Sequence, residues 1–406
     1  MQENNQNFTN SDATAKSPKN IAKIAPTLRN RMVKKPLTLA SGSTVSVDLG
    51  PKSYPIFVGS ETLALFGAFF LQHCDSKKAV VITDENVGPL YAQAVTQSLN
   101  DSGVQSHTII VPAGEATKCG KVVESIYDKL FDLSVERSDA IIALGGGVVG
   151  DLAGFVAATF KRGLNFVQLP TSLLAMVDSS IGGKTGINHP RGKNMIGAFY
   201  QPKMVFADMA VLKTLPRREL GCGLAETVKH AVIRDGEFFK HLENHTDQIM
   251  DLEPELMTDL VVRNCRIKAA VVSADEFESG LRGILNLGHT IGHTIETVCA
   301  DRDVHHGEAV SLGMVAAARL AIGRGLLKAE AIDRITALLN KLDLPTSVNE
   351  ELPVDKLYEA MKQDKKVKAG KIRFVLPTSI GDCSFVDDLS ENEIKAAIKE
   401  LFIINS

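Results

Sequence analysis

Two histidines stand four residues apart in the stretch NLGHTIGHTIE, His289 and His293, so on a helix they share one face. A second pair, His305-His306, runs into Gly307-Glu308. Glu226 lies in the apolar helical stretch LAETVKHAVI, where an unpaired carboxylate would be costly to bury. Histidines with one carboxylate are the ligand types of a catalytic zinc, which takes three protein groups and keeps a position open. Residue type alone leaves Glu226, His289, His293, His305 and His306 as candidates. It does not decide whether His293 binds metal or moves protons. Thr290 stands where the H-E-x-x-H metalloprotease pattern has its glutamate, so that chemistry is set aside.

Glycine and lysine loops carry a second kind of chemistry. Gly145-Gly146-Gly147-Val148-Val149-Gly150-Asp151 fits G-x-G-x-x-G between a predicted strand and helix, where bare backbone amides approach a pyrophosphate. The acidic ribose partner expected about 20 residues on is missing, because that stretch reads NFVQLPTS. Asp84 in ITDEN and the PAGEATK loop (112–118) supply strand-end polar groups instead, which points to a variant dinucleotide fold. Further on, SSIGGKTG and GKN place Lys184 and Lys193 among glycines, in stretches that read as tight loops suited to a phosphate or carboxylate. GGKT is not a P-loop, since Asp178 occupies the position of its first glycine.

The elements that must hold these groups follow from periodicity. Residues 37–49 alternate apolar and polar around Ser41-Gly42, the pattern of a hairpin. Strand-like runs at 77–84, 107–111, 138–145, 165–170 and 204–208 alternate with helical ones at 87–99 and 121–135. Such β-α repeats predict a mostly parallel sheet with ligands at the carboxyl ends of its strands. Helical periods then dominate: 217–234, 250–273, 289–300, 308–323 and 329–342, with strand character returning at 371–377. The expected organisation is a Rossmann-like α/β domain over 37–208 and a mainly helical domain over 209–406, with the site in the cleft between them.

The length of 406 residues suits about two domains. A net charge of -3 argues against a nucleic-acid-binding surface spread over the molecule. Residues 1–36 hold seven basic and two acidic side chains, so they carry +5 and the remainder -8. Polar and basic, they read as a disordered extension. The six cysteines lack paired spacing and read as reduced thiols, and no apolar run approaches a membrane span. A cytoplasmic location is expected, with organellar targeting by the basic segment 16–35 left open.

Taken in order, several stretches together resemble the 3-dehydroquinate synthase family over about residues 40–400. They are GGGVVGDLAGFVAATFKRG, PTSLLAMVDSSIGGKTGINHPRGKNMIGAFYQP, LPRRELGCGLAETVKHAVI, DEFESGLRGILNLGHTIGHTIE with HHGEAV, and MKQDKKVKAGKIRFVLP. The resemblance implies the sugar phosphate cyclase fold, related to iron-dependent alcohol dehydrogenases. It selects Glu226, His289 and His306 as zinc ligands, with cobalt as a substitute, and leaves His293 for proton transfer. It puts Asp84, Glu85, Asn86, Glu115, Lys118, Gly146, Gly147, Val148, Asp151, Thr171, Ser172, Lys184, Lys193 and Thr214 at NAD. Asp178, Lys184, Lys193, Asn194, Lys229, Lys268, Arg282, Asn286, His293 and Lys365 fall around the substrate. Glu278 and His293 take acid–base roles, with Lys184 and Lys229 beside the chemistry. Arg162 matches an arginine that reaches the phosphate of the neighbouring subunit, which implies a homodimer.

The reaction so implied cyclises 3-deoxy-arabino-heptulosonate 7-phosphate to 3-dehydroquinate and releases phosphate. It proceeds by transient NAD-dependent oxidation, β-elimination, re-reduction and an intramolecular aldol. A plain metal-dependent alcohol dehydrogenase is the rival from another class and predicts net NADH. Sister cyclases are closer rivals, yet Lys268, Arg282, Asn286 and Lys365 favour a carboxylated substrate.

Overall fold

The computed structural model describes residues 37–39, 42–364 and 372–402. The extension read at 1–36 and the candidate Lys365 lie outside the described residues. Leu37 belongs to a separate unit, and the fold is that of the unit beginning at Thr38.

Aliphatic and β-branched runs ending in Gly, Pro or Asp give most of the first strands. In chain order they are β1 (Gly42–Val47), β2 (Tyr54–Gly59), α1 (Phe66–His73), β3 (Lys78–Asp84), α2 (Gly88–Asp101), β4 (Gln105–Val111) and α3 (Gly120–Asp132). There follow β5 (Ala140–Gly145), α4 (Gly147–Thr159), β6 (Asn165–Pro170), β7 (Lys184–His189), β8 (Gly192–Phe199) and β9 (Met204–Asp208). Seven strands make one sheet in the order β1-β2-β9-β6-β5-β3-β4. Every neighbour pairs in parallel except β1 with β2. The mostly parallel sheet expected from the β-α repeats is present.

Alternation along the strands explains its two covered faces. Val80, Ile82 and Ile141 pack with α3 and α4, while Val81, Ile142 and Leu144 pack with α1 and α2. A strand buried on both sides reads as a continuous apolar run, as β5 does. The strand order reverses at β3 and β5, and the loops leaving their carboxyl ends flank the crevice where open α/β sheets bind ligands.

The hairpin predicted at 37–49 has residues 40 and 41 of its turn outside the described residues; its second half, β1, pairs with the following strand β2, because Gly50 (φ 60) and Pro51 reverse the chain there. The structure corrects two local expectations. The lysine-bearing glycine stretches are not tight loops but the antiparallel ribbon β7–β8. Gly186 and Gly197 stand opposite each other in it and let the two backbones approach closely. The helix predicted at 250–273 starts at Pro254, capped by the Glu253 carboxylate on the Leu256 amide, and a separate turn covers Thr246–Met250.

The rest of the chain is mostly helical: α5 (Arg217–Arg234), α6 (Gly236–Asn244), α7 (Thr246–Met250), α8 (Pro254–Ala274), α9 (His289–Val298), α10 (His306–Gly323), α11 (Ala329–Lys341) and α12 (Val354–Asp364). The hairpin β10 (Phe374–Ser379) and β11 (Asp382–Val386) and helix α13 (Glu391–Lys399) complete it. One apolar cluster joins Val45, Ile56 and Val205 of the sheet to Leu224, Val228, Val261 and Val272 of α5 and α8. A single π-helical turn, Ala175–Ser179, follows β6.

Candidate active site

Helix α5 is buried along Leu220–Ile233, and its polar residues are buried with it: Glu226 0%, Lys229 1% and His230 0% exposed. Charges at such depth persist only when paired. Lys229, one turn on from Glu226, donates to its Oε2. Burial raises the Glu226 carboxyl, but Lys229, His289 and His306 outweigh it and hold it well below the usual carboxylate range.

Two more helices bring histidines to the other oxygen. His289 opens α9 and His306 opens α10. The helices meet where Gly313 faces Gly288: a Cβ on Gly313 would lie 1.9 Å from the Gly288 carbonyl oxygen. Gly307 likewise lets the start of α10 rest on α5, since a Cβ there would lie 2.4 Å from the Cys222 Cα. His289 Nε2 is 3.4 Å and His306 Nε2 3.5 Å from Glu226 Oε1, an oxygen with no hydrogen-bond donor. The Nδ1 atoms face acceptors, the Leu287 carbonyl at 3.1 Å and Glu296 Oε2 at 3.2 Å. Facing acceptors, each Nδ1 donates, so an ion bound beside Glu226 would meet the two Nε2 lone pairs. Without the ion, burial lowers the His306 imidazole, but Glu226 and Glu296 outweigh it and push it up to about 10. Three electron-rich atoms facing one point, one of them a buried orphan, fit a divalent cation.

His305 faces elsewhere: it caps α10 and lies 3.4 Å from Glu219 and 3.8 Å from Asp303. His293 is exposed on α9, its ring centre 4.9 Å from that of His289 and 5.8 Å from that of His306.

Cations and amides cluster beside this point. Lys268 of α8 donates to the Asp178 carboxylate at 2.5 Å and to its backbone carbonyl at 2.6 Å. Burial pushes the Lys268 ammonium down to about 8 despite the Asp178 charge. Asp178 resists the upward push of burial and is held below its ordinary range by Lys268 and Lys229. Buried Arg282 donates to the Glu276 and Gly182 carbonyls at 2.5 and 3.2 Å. Lys184 pairs with Glu278, whose other oxygen accepts from Asn286 at 3.2 Å. Burial raises the Glu278 carboxyl, but Lys184, Asn286 and Arg282 hold it below its ordinary value. His230 accompanies this group: burial and Lys229 push it down to about 4, and its Nδ1 faces Asn264 at 2.9 Å.

At the strand ends, Gly146 precedes α4 and Ser172 follows β6 in apposition to it. A Cβ on Gly146 would lie 3.3 Å from Ser172 Oγ, and one on Gly147 3.0 Å from Ser179 Oγ. This bare turn at a helix N-terminus fits a pyrophosphate, and Val148 and Thr171 border it. Asp84 accepts from the Asn86 and Val87 amides at 2.9 Å, shaping the loop after β3. Glu85 meets the Ala113 amide at 3.4 Å, and Thr214 and Tyr91 share a 2.6 Å hydrogen bond. Buried Lys118 is a hub: its ammonium reaches Asp151 at 2.8 Å, Asn194 at 2.6 Å and Glu115 at 3.6 Å. Lys193 and Arg162 are exposed and take no part in these hydrogen-bonded groups. Asn188, which bonds Glu115 at 2.7 Å and accepts from the Asn194 amide at 2.8 Å, was not singled out by sequence, nor was Glu296. Glu296 did have a signal, lying seven residues after His289 on the same helix face.

A mostly parallel sheet with a glycine turn at a strand end, together with a His-His-Glu cluster and a set of buried cations, fits the class of sugar phosphate cyclases. Family models described as 3-dehydroquinate synthase N-terminal and C-terminal match residues 108–222 and 223–367, and the chain belongs to the 3-dehydroquinate synthase family. It is 47% identical to the 3-dehydroquinate synthase of Desulforamulus reducens, over 88% of this chain and 99% of that one. With the 3-dehydroquinate synthase of Symbiobacterium thermophilum it shares 46% over 87% and 99%. Among solved structures, 2-epi-5-epi-valiolone synthase from Streptomyces hygroscopicus, with NAD+ and Zn2+ bound, superposes with a TM-score of 0.78 at 29% identity. That match covers 86% of this chain and 96% of the other. An iron-containing alcohol dehydrogenase from Thermotoga maritima shares the fold alone, with a TM-score of 0.61 at 14% identity over 86% and 97%.

Proposed function

We propose that this chain cyclises 3-deoxy-arabino-heptulosonate 7-phosphate to 3-dehydroquinate with release of phosphate, using NAD and a divalent metal, zinc or cobalt. The carrying observation is that Glu226 of the Glu226–His289–His306 cluster has buried Lys229 on one oxygen and Asp178 close by, the partner of buried Lys268 and a charge neighbour of buried Arg282. A simple alcohol offers nothing for such a set of charges to bind, and this disfavours a dehydrogenase.

Glu226, His289 and His306 hold the metal, and the Gly146-Gly147 turn with Asp84, Glu85, Asn86, Glu115, Val148, Thr171, Ser172 and Thr214 holds the dinucleotide. Bound there, the two groups supply Lewis acidity toward vicinal hydroxyls and a reversible hydride acceptor. Lys229 neutralises one Glu226 oxygen and leaves the other for the ion. Lys268 and Arg282 face the substrate carboxylate and nearby hydroxyls, with Asp178 and Asn286 fixing their surroundings. Lys184, Lys193, Asn194 and Arg162 take the phosphate, Arg162 from the other subunit of a homodimer. His293, exposed beside the ligand histidines, moves protons at its imidazole, and Glu278 assists from the Lys184 pair.

We read 37–208 as the nucleotide domain and 209–406 as the metal and substrate domain, and we place the enzyme in the cytoplasm. All six cysteines are free thiols, as in a reducing compartment. Phosphate release by the purified enzyme with catalytic NAD+ is expected to stop on metal stripping and return with zinc. Release that survives stripping, or NADH that accumulates with substrate, would overturn the proposal.

A further inference from the structure

The two ligand histidines reach their common orientation by different means. His289 is steered by the Leu287 carbonyl, two residues back in its own chain, 3.1 Å from Nδ1. His306 has no such local partner. It is the first residue of α10, its side chain is 27% exposed, and the glycine after it offers no side chain to pack against. What meets its Nδ1 is Glu296 Oε2, at 3.2 Å from the neighbouring helix α9.

We infer that Glu296 is a positioning residue of the metal centre: by accepting the Nδ1 proton of His306 it fixes the tautomer and ring orientation that present Nε2 beside Glu226. The inference rests on reading Glu226, His289 and His306 as the ligands. It follows from where α9 puts its side chains. His289, His293 and Glu296 recur at i, i+4 and i+7, on one face toward the start of α10. One helix thus supplies a ligand directly and, one turn beyond His293, the group that aims the ligand of the next helix. A carboxylate opposite a ligand imidazole also makes the metal-binding nitrogen a stronger donor, and loss of such a partner weakens metal binding about 10–100-fold.

The alternative is a surface ion pair between Glu296 and His306 that serves stability alone. Zinc affinity of the metal-stripped full-length protein, measured by competition with a chelator, separates the two, with the cobalt absorption spectrum as a second readout. Glu296→Ala is expected to weaken zinc binding about 10–100-fold and to shift the cobalt bands, while the metal-free protein melts as the wild type does. Glu296→Gln, which keeps an acceptor but no charge, is expected to recover part of the loss. Wild-type affinity in Glu296→Ala alongside loss in His306→Ala would overturn the inference. So would equal losses in the Ala and Gln variants together with a destabilised metal-free protein. Wild-type affinity in His306→Ala would instead overturn the ligand reading itself.

Discussion

Lys184 and Glu278, 94 residues apart in the chain, form an ion pair that fastens the first residue of β7 to the loop after α8. Glu278 makes it from the left-handed region, at φ 58, and Arg162 (φ 65) and Asn194 (φ 56) share that conformation. A residue with a Cβ is strained there by about 1–2 kcal/mol, asparagine least. Three of the nine described non-glycine residues with positive φ are thus candidate site residues, held where their backbone is disfavoured.

Arg162→Gly is therefore expected to leave stability unchanged or raise it by up to about 1 kcal/mol, because glycine is at ease at that φ. The same change removes the proposed phosphate contact and should lower kcat/KM steeply. Urea unfolding and phosphate-release kinetics check the two halves. Mixing this variant with His293→Ala subunits should restore about a quarter of wild-type activity if Arg162 works across a homodimer. No recovery after subunit exchange would place it within its own subunit.

His293→Ala should cut turnover roughly 100-fold or more while the metal stays bound. The imidazole is exposed beside the cluster, whereas His289 and His306 direct Nε2 into it. Metal analysis of the purified variant is the check, and loss of zinc would make His293 a ligand.

Lys268 gives a pH signature. Burial lowers it from 10.5 to about 8, so kcat/KM should fall as pH rises through about 8, where the charge facing the substrate is lost. A Lys268→Arg variant should keep whatever activity it has through that range. Stability has the opposite sign. Between pH 8 and 10.5 the unfolded chain holds a proton that the folded chain has released, so this group makes stability rise with pH there. Denaturant melts at pH 7.5 and 9.5, wild type against Lys268→Met, isolate the contribution.

Gly313→Ala tests the helix contact that sets the histidines. Its Cβ would fall 1.9 Å from the Gly288 oxygen, so α9 and α10 must separate, at about 1–3 kcal/mol. His289 and His306 would move apart with them. Zinc affinity is expected to drop together with the melting temperature, whereas Gly323→Ala on the same helix, with open space around it, should change neither.

Periodicity made the long elements legible. Apolar runs such as Ala140–Leu144 and the helical stretch Arg217–Arg234 have one reading each, because burial on both faces or along one helix dictates it. The β7–β8 ribbon was not legible as strands. Its glycines mark close backbone approach, and most of the second strand is exposed, so no apolar alternation announces it. At the site, residue types nominated the metal cluster but did not separate His305 from His306. That choice depends on which neighbour starts α10 with its ring toward Glu226, a matter of helix phase. Glu296 and Asn188 act through other side chains, and spacing alone does not reveal which partner a polar residue will find.

The π-helical turn at Ala175–Ser179 has an evolutionary consequence. The turn stands by itself between β6 and β7, and it delivers Asp178 to Lys268. Removing one residue from it, Val177 for instance, would shift Asp178 by one position, about 100° on a helical path, and turn its carboxylate away from Lys268. The charge partner of Lys268 thus depends on reading-frame-preserving length as much as on residue identity. Loss of a single codon here would disarm the enzyme while leaving every proposed ligand and cation in the chain.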